Sequence, residues 1–359
     1  MDLSAATAVL ERQVRLLYKV PEGTPIEELS EPLRSYVSYA LVCVNRGRLA
    51  MEEIRPFRAL RGIRFLDAGC AYGGFLVAAA EAGAREVAGI DMDERLLDIA
   101  RPFLAATGIH HRLEKGDVSD PSVLAPLGRF DLITCNDVIE HVDNVPRLVA
   151  TLAAAVAEGG CLYIAAPNRM CPEFIRQDPH FQELGIVLLP RASARRYETT
   201  KSGWPHYDVG EYFELDFHLS LLERQGLEVQ IINMPGTPGV PGGRARSQVA
   251  DLESQFREIE ARAAAWSEPK VPDDLNAELR LAVSAAVKGF LDRRVRLTAL
   301  EEIGDEAGAE AEAAGMVRDY AIPVWHIVAR RPSSRGGYVT ERPSFVRRAR
   351  RALGRLLRG

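Results

Sequence analysis

From Ile63 to Ile232 short apolar runs alternate with amphipathic helical stretches, and this alternation constrains the fold more than any other feature. Strands are expected near 63–67, 86–90, 111–115, 130–135, 161–166 and 227–232. Helices are expected near 74–83, 93–106, 120–127, 145–157 and 211–225. Strands separated by helices of this length pack as a mostly parallel sheet covered on both faces. Ala321–Ala329 supplies one more apolar run after a long interval, and Gly159-Gly160 reads as the turn into the fifth strand. In open α/β sheets ligands bind at the carboxyl ends of the strands, so the residues just beyond each run are the candidates for function.

The first such turn is Phe65-Leu66-Asp67-Ala68-Gly69-Cys70-Ala71-Tyr72-Gly73-Gly74-Phe75. Small residues let backbone approach a ligand closely, and the helix start that follows offers free N–H groups. Read as G-x-G-x-x-G, the stretch gives Gly69, Ala71 and Gly74, one residue short of a dinucleotide fingerprint, and Asp91 would fit its ribose-binding acid. S-adenosylmethionine (SAM) is the rival guest. Asp67 at the strand end suits a cationic aminoacyl group better than a pyrophosphate.

Two later segments decide between them. Lys115-Gly116-Asp117-Val118 follows the third strand. Phe130-Asp131-Leu132-Ile133-Thr134-Cys135-Asn136-Asp137-Val138-Ile139-Glu140-His141-Val142 forms the fourth strand and its turn. The ordered set resembles the class I SAM-dependent methyltransferases over roughly residues 61–232, with a return near 319–330. The resemblance implies a Rossmann-like α/β fold with a seven-stranded sheet, mostly parallel, the last strand antiparallel. N-terminal helices precede it, and a helical insertion comes before the last strand. It also implies that Asp67 and the backbone of Gly69, Ala71 and Gly73 face the methionine part of SAM. Asp91 would accept the ribose hydroxyls, Met92 would pack on the adenine, Asp117 would accept the adenine amino hydrogen with Val118 behind it, and Asn136 would close the site. Ala71 stands where the family usually has glycine.

Methyl transfer to an O–H group needs in-line positioning and either proton removal or metal polarisation. A helical turn from Asp137 would bring Asp137, Glu140 and His141 together, and Asp178-Pro179-His180-Phe181 follows in a later loop. Glu140, His141 and His180 are the catalytic candidates. With Asp137 they form a candidate site for a divalent metal such as Mg²⁺ or Mn²⁺. The acid-x-x-Glu-His pattern resembles the small-RNA 2′-O-methyltransferases and the ubiquinone-pathway O-methyltransferases. His141 as a base without metal, and His141 as a purely structural residue, are the competing readings.

Residues 167–210 read as a long loop rich in charge and aromatic rings, with Phe174, Arg176, Arg191, Arg195, Arg196, Tyr197, Trp204, His206 and Tyr207. Arginines and aromatics suit a sugar or phosphate-bearing acceptor. The pattern Pro-Asn-Arg, Asp-Pro-His-Phe, Leu-Leu-Pro-Arg resembles methyltransferases of cell-surface glycan and glycolipid pathways. The expected acceptor is accordingly a hydroxyl of a sugar, glycolipid or related small molecule. An RNA ribose and a non-catalytic SAM-binding assembly partner stand as alternatives. The net charge of −5 argues against nucleic acid as a partner.

The chain divides into a helical extension (1–60), a SAM-binding core (61–243), a helical insertion (244–318), the last core strand (319–332) and a basic tail (333–359). The extension reads as a lid, a dimer face or a packing element. The tail, with eight Arg and one acid over 335–359, suits peripheral contact with an anionic membrane as an amphipathic helix. Five cysteines without a C-x-x-C pair, no apolar run of membrane-spanning length and no basic N-terminal leader lead to an expected cytoplasmic location.

Overall fold

The computed structural model describes residues 3–31, 33–204, 207–234 and 245–333. The Pro/Gly loop from 235, His206 and the basic tail lie outside the described residues. Seven strands form one sheet: β1 Arg64–Ala68, β2 Glu86–Asp91, β3 His111–Lys115, β4 Phe130–Asn136, β5 Val156–Pro167, β6 Glu228–Ile231 and β7 Val324–Arg330. Their order is β3-β2-β1-β4-β5-β7-β6, with β7 antiparallel to both of its neighbours. Strand order reverses between β1 and β4, so a crevice opens at the carboxyl ends of those two strands.

Gly159-Gly160 does not turn the chain into β5; it lies inside that strand. Pairing with β4 slips between Phe130↔Val156 and Leu132↔Cys161. Gly159 has φ +71°, and a Cβ on Gly160 would sit 3.0 Å from the Asp131 carbonyl oxygen. The two glycines thus make a bulge, which two small residues mimic as a turn in sequence. The expected helix at 211–225 begins only at Leu215, because residues 207–214 form no regular element and bond to the turn after β4 instead, with Gly210 N–H donating to the Glu140 carbonyl and the Asp208 carbonyl accepting from His141. The expected loop at 167–210 includes the helices Pro172–Arg176 and Arg191–Ser202.

The N-terminal helices Ser4–Leu17, Leu33–Leu41 and Cys43–Ile54 bury Leu10, Val14, Val37, Met51 and Ile54 in the core on one face of the sheet. Helix Cys43–Ile54 meets helix Gly74–Glu81 backbone to backbone. A Cβ on Gly74 would lie 2.4 Å from the Cys43 carbonyl carbon, and one on Gly47 would lie 2.9 Å from Phe75 Cα. The third glycine of the sequence motif is therefore needed for helix packing. Gly74→Ala should destabilise the protein by about 1–3 kcal/mol, the usual cost of overpacking, measured as a lower urea midpoint.

Helices Ala245–Ala264, Asp273–Glu302 and Glu306–Met316 do not have a core of their own. Phe256, Val283, Phe290 and Ala313 share one buried cluster with Ile175, Leu184, Tyr197 and Val209 from the segment after β5. The insertion therefore braces the chain that covers the carboxyl end of the sheet. No helix among the described residues is long and apolar enough to cross a membrane.

Candidate active site

Asp67 is 3% exposed and accepts a hydrogen bond from Thr134 Oγ1 at 2.6 Å. Burial pushes its carboxyl up to about 7, against the Thr134 bond, with Asp91 adding to the rise and Arg46 opposing it. The turn after it folds back on β2: Gly69 and Cys70 both donate to the Ile90 carbonyl. Gly69, Ala71 and Gly73 take φ of +83°, +42° and +82°. A Cβ on Gly69 would come within 2.2 Å of Val138 Cγ2, so the turns after β1 and β4 touch. Ala71 tolerates its positive φ while its N–H donates to Asp91 Oδ2 at 2.8 Å.

Asp91 is buried at the end of β2 and also accepts from Asp93 N–H at 2.9 Å, which leaves acceptor capacity for a hydroxyl. Met92 beside it is 72% exposed. Asp117 is exposed and accepts from the backbone and the hydroxyl of Ser119, both at 2.8 Å, while Val118 is buried. Asn136 ends β4 opposite Ala165. These residues line the carboxyl ends of β1 to β4, with Asp117 and Val118 just beyond β3.

Asp137 departs from the expected cluster. It takes φ +55°, and the helical turn starts later, at Ile139–His141. Its carboxylate faces the N-terminal helices, where it accepts from Tyr39 Oη at 2.5 Å and pairs with Arg46. The Arg46 guanidinium also lies 3.8 Å over the Tyr39 ring. Sequence reasoning missed Arg46 and Tyr39, because nothing local links residues about ninety positions apart.

Glu140, His141 and His180 do converge: one ligand atom from each lies within 4.8 Å of the others. Glu140 is 5% exposed. Burial pushes its carboxyl up, His141 and His180 pull it down, and Asp137 adds to the rise. The exposed His141 has Nδ1 2.9 Å from the Asp208 carbonyl oxygen. A carbonyl only accepts, so Nδ1 carries the proton and Nε2 keeps its lone pair. His180 has Nδ1 3.1 Å from Tyr212 Oη and 3.6 Å from Asp178 Oδ2. Burial pulls its pKa down, but Asp178 and Glu140 outweigh burial and the net direction is up. The two imidazoles meet edge to face, with centroids 5.0 Å apart. Asp178 is itself buried and fixed by the N–H groups of His180 and Phe181.

A methyltransferase-domain family profile matches residues 44–230, just over half of the chain. The chain belongs to this methyltransferase family. It is a class I SAM-dependent methyltransferase, and SAM is its cofactor. Among curated relatives, the ubiquinone biosynthesis O-methyltransferases of Thiobacillus denitrificans and Bordetella avium are each 34% identical, over 152 and 150 residues. The matched stretch is 40% of this chain, and 64% and 59% of theirs, so this methyltransferase spans less than two thirds of either relative. The magnesium protoporphyrin IX methyltransferase of Synechocystis PCC 6803, solved with bound SAH, is 16% identical. It covers 62% of this chain and 84% of its own at a TM-score of 0.40.

These relatives do not support a place in glycan biosynthesis. The arginines after β5 do not either, since several are engaged with acids: Arg169 with Glu214, Arg176 with Glu258, Arg191 with Asp143 and Arg196 with Asp274. Asn168 of the Pro-Asn-Arg motif is fully buried and donates to the Asp319 and Ile322 carbonyls, a structural tie to the approach of β7. The rings nearest the histidines are Phe181, stacked on Tyr207 at 5.0 Å, and Tyr212.

Proposed function

We propose that this methyltransferase transfers the SAM methyl group to one hydroxyl of a small molecule bearing neighbouring hydroxyls. In this reading Glu140, His141 and His180 hold a divalent cation beside the acceptor. The observation that carries the reading is the convergence of one buried carboxylate and two imidazoles at the carboxyl edge of the sheet. The donor set fits such an ion, because a carboxylate and two imidazoles suit Mn²⁺ and related metals. His141 is turned by the Asp208 carbonyl and His180 faces Asp178, the outer partners that metal-binding histidines usually have. When bound, the ion would lower the pKa of a coordinated hydroxyl.

The chain's own residues have separate tasks. Asp67 and Arg46 face the aminoacyl end of SAM, and Asp91 faces its ribose. His141 Nε2 presents its lone pair to the ion, so the acceptor proton would leave to solvent as the methyl C–S bond breaks and the new C–O bond forms. Phe181, Tyr207 and Tyr212 give the acceptor cleft flat apolar walls. A phenolic ring with neighbouring hydroxyls and a sugar diol both present the required pair of oxygens, and the aromatic walls favour the phenolic ring.

Labelled methyl transfer to a catechol, a sugar diol and matched single-hydroxyl acceptors tests this, before and after chelation and with Mg²⁺ or Mn²⁺ restored. Product from a diol that is lost on chelation and regained with metal is expected. Product indifferent to chelation would leave His141 as a base without metal. No product from any hydroxyl acceptor would sink O-methylation.

A further inference from the structure

His218 lies on helix Leu215–Arg224 and has no part in the site as read above. It is 3% exposed, and its Nδ1 is buried with no hydrogen-bond partner among the described residues. Glu140 Oε2 is in the same condition. Buried polar groups almost always have partners, so two orphans close together need a physical reason. Both residues line one small cavity with Ile139, Pro167, Glu211, Tyr212 and Phe213; Glu211 already accepts from the Arg191 N–H, and neither His141 nor His180 lines the cavity. The cavity has about 10 Å³ of room for the centre of a water molecule, the space one water needs. Dry cavities are apolar, whereas this one has a carboxylate and an imidazole in its wall. Burial pulls His218 down to about 4, against the Phe213 carbonyl, so the ring is neutral at neutral pH. A neutral imidazole cannot offset the Glu140 charge as a counter-ion, but it can exchange hydrogen bonds through a third molecule.

We infer that a single ordered water fills this cavity and bridges Glu140 Oε2 to His218 Nδ1. His218 is then a positioning residue, holding the Glu140 carboxylate from behind while the other oxygen stays available to the site. The kinetic consequence rests on the reading of Glu140 as a site residue; the water does not.

A crystal structure of the full chain at a resolution that shows solvent tests the bridge. One water peak within hydrogen-bond distance of both atoms is expected. A dry cavity, or either atom bonded to another protein group, would overturn it. Kinetics test the role through His218→Leu and His218→Gln. The Leu variant should lose roughly 10–100-fold in kcat with KM for SAM unchanged, and Mn²⁺ affinity measured without turnover should fall alike. The Gln variant, whose amide can still reach the water, should recover to within about threefold of wild type. Equal losses in both variants, or a loss confined to KM for SAM, would mean that His218 only packs the helix. If the Leu variant fails to fold, the Gln variant and the solvent density still decide. If wild-type protein binds no Mn²⁺, the metal reading fails while the bridge is still judged by its density.

Discussion

Replacing Asp67 by Asn is expected to weaken SAM binding by one to two orders of magnitude and to flatten its dependence on pH. The carboxyl sits at the end of β1, buried, with a pKa raised to about 7 mainly by loss of water. Thr134 and Arg46 hold it down only in part. The SAM ammonium favours the ionised form, so below pH 7 binding must expel a proton. Affinity should then rise about tenfold per pH unit up to about 7 and level off above it. The same shift sets the stability of the free protein. The folded state holds a proton that the unfolded chain releases near pH 3.8, so this group favours folding at low pH and stops doing so as pH climbs through about 7. Stabilisation by SAM should therefore grow from pH 6 to pH 8. Titration calorimetry at those pH values checks both proteins, and equal pH slopes for wild type and Asp67→Asn would show that Asp67 is not the titrating partner.

His141→Ala should lower turnover by about 10²–10⁴-fold while SAM affinity stays within about twofold. The ring is exposed, and the Asp208 carbonyl holds its Nε2 lone pair free. Removing it takes away either a proton acceptor or a ligand, without touching Asp67, Asp91 or the glycine turn. Single-turnover methyl transfer alongside equilibrium SAM binding separates the two effects. Full activity in this variant would remove both the base role and the metal role.

The strands and the residues at their carboxyl ends were legible in the sequence because both depend on local patterns. β1, β2 and β4 each announce themselves by an apolar run ending in an acid or an amide, while β3, with Leu113 its one apolar residue, is placed by the Gly116-Asp117 turn after it; all four positions follow within about a residue. Glu140, His141 and His180 were legible as a set because chemistry restricts which residue types gather there. Asp137 was misread because spacing alone assumes a helix from the strand end, whereas a left-handed residue intervenes. Its true partners, Tyr39 and Arg46, come from an extension whose packing is decided by Gly47 meeting Gly74. No periodicity reveals such a contact. The shared core of the insertion and the segment after β5 was hidden for the same reason: helical patterns show an apolar face but not what covers it. His218 looks like any apolar-flanked histidine until its neighbours are known.

Anomalous scattering from a manganese-soaked crystal of the wild-type chain tests the acceptor centre most directly. A single manganese peak in contact with Glu140, His141 and His180, absent in His141→Ala, is the expected result. No peak there, together with full turnover after chelation, would contradict it.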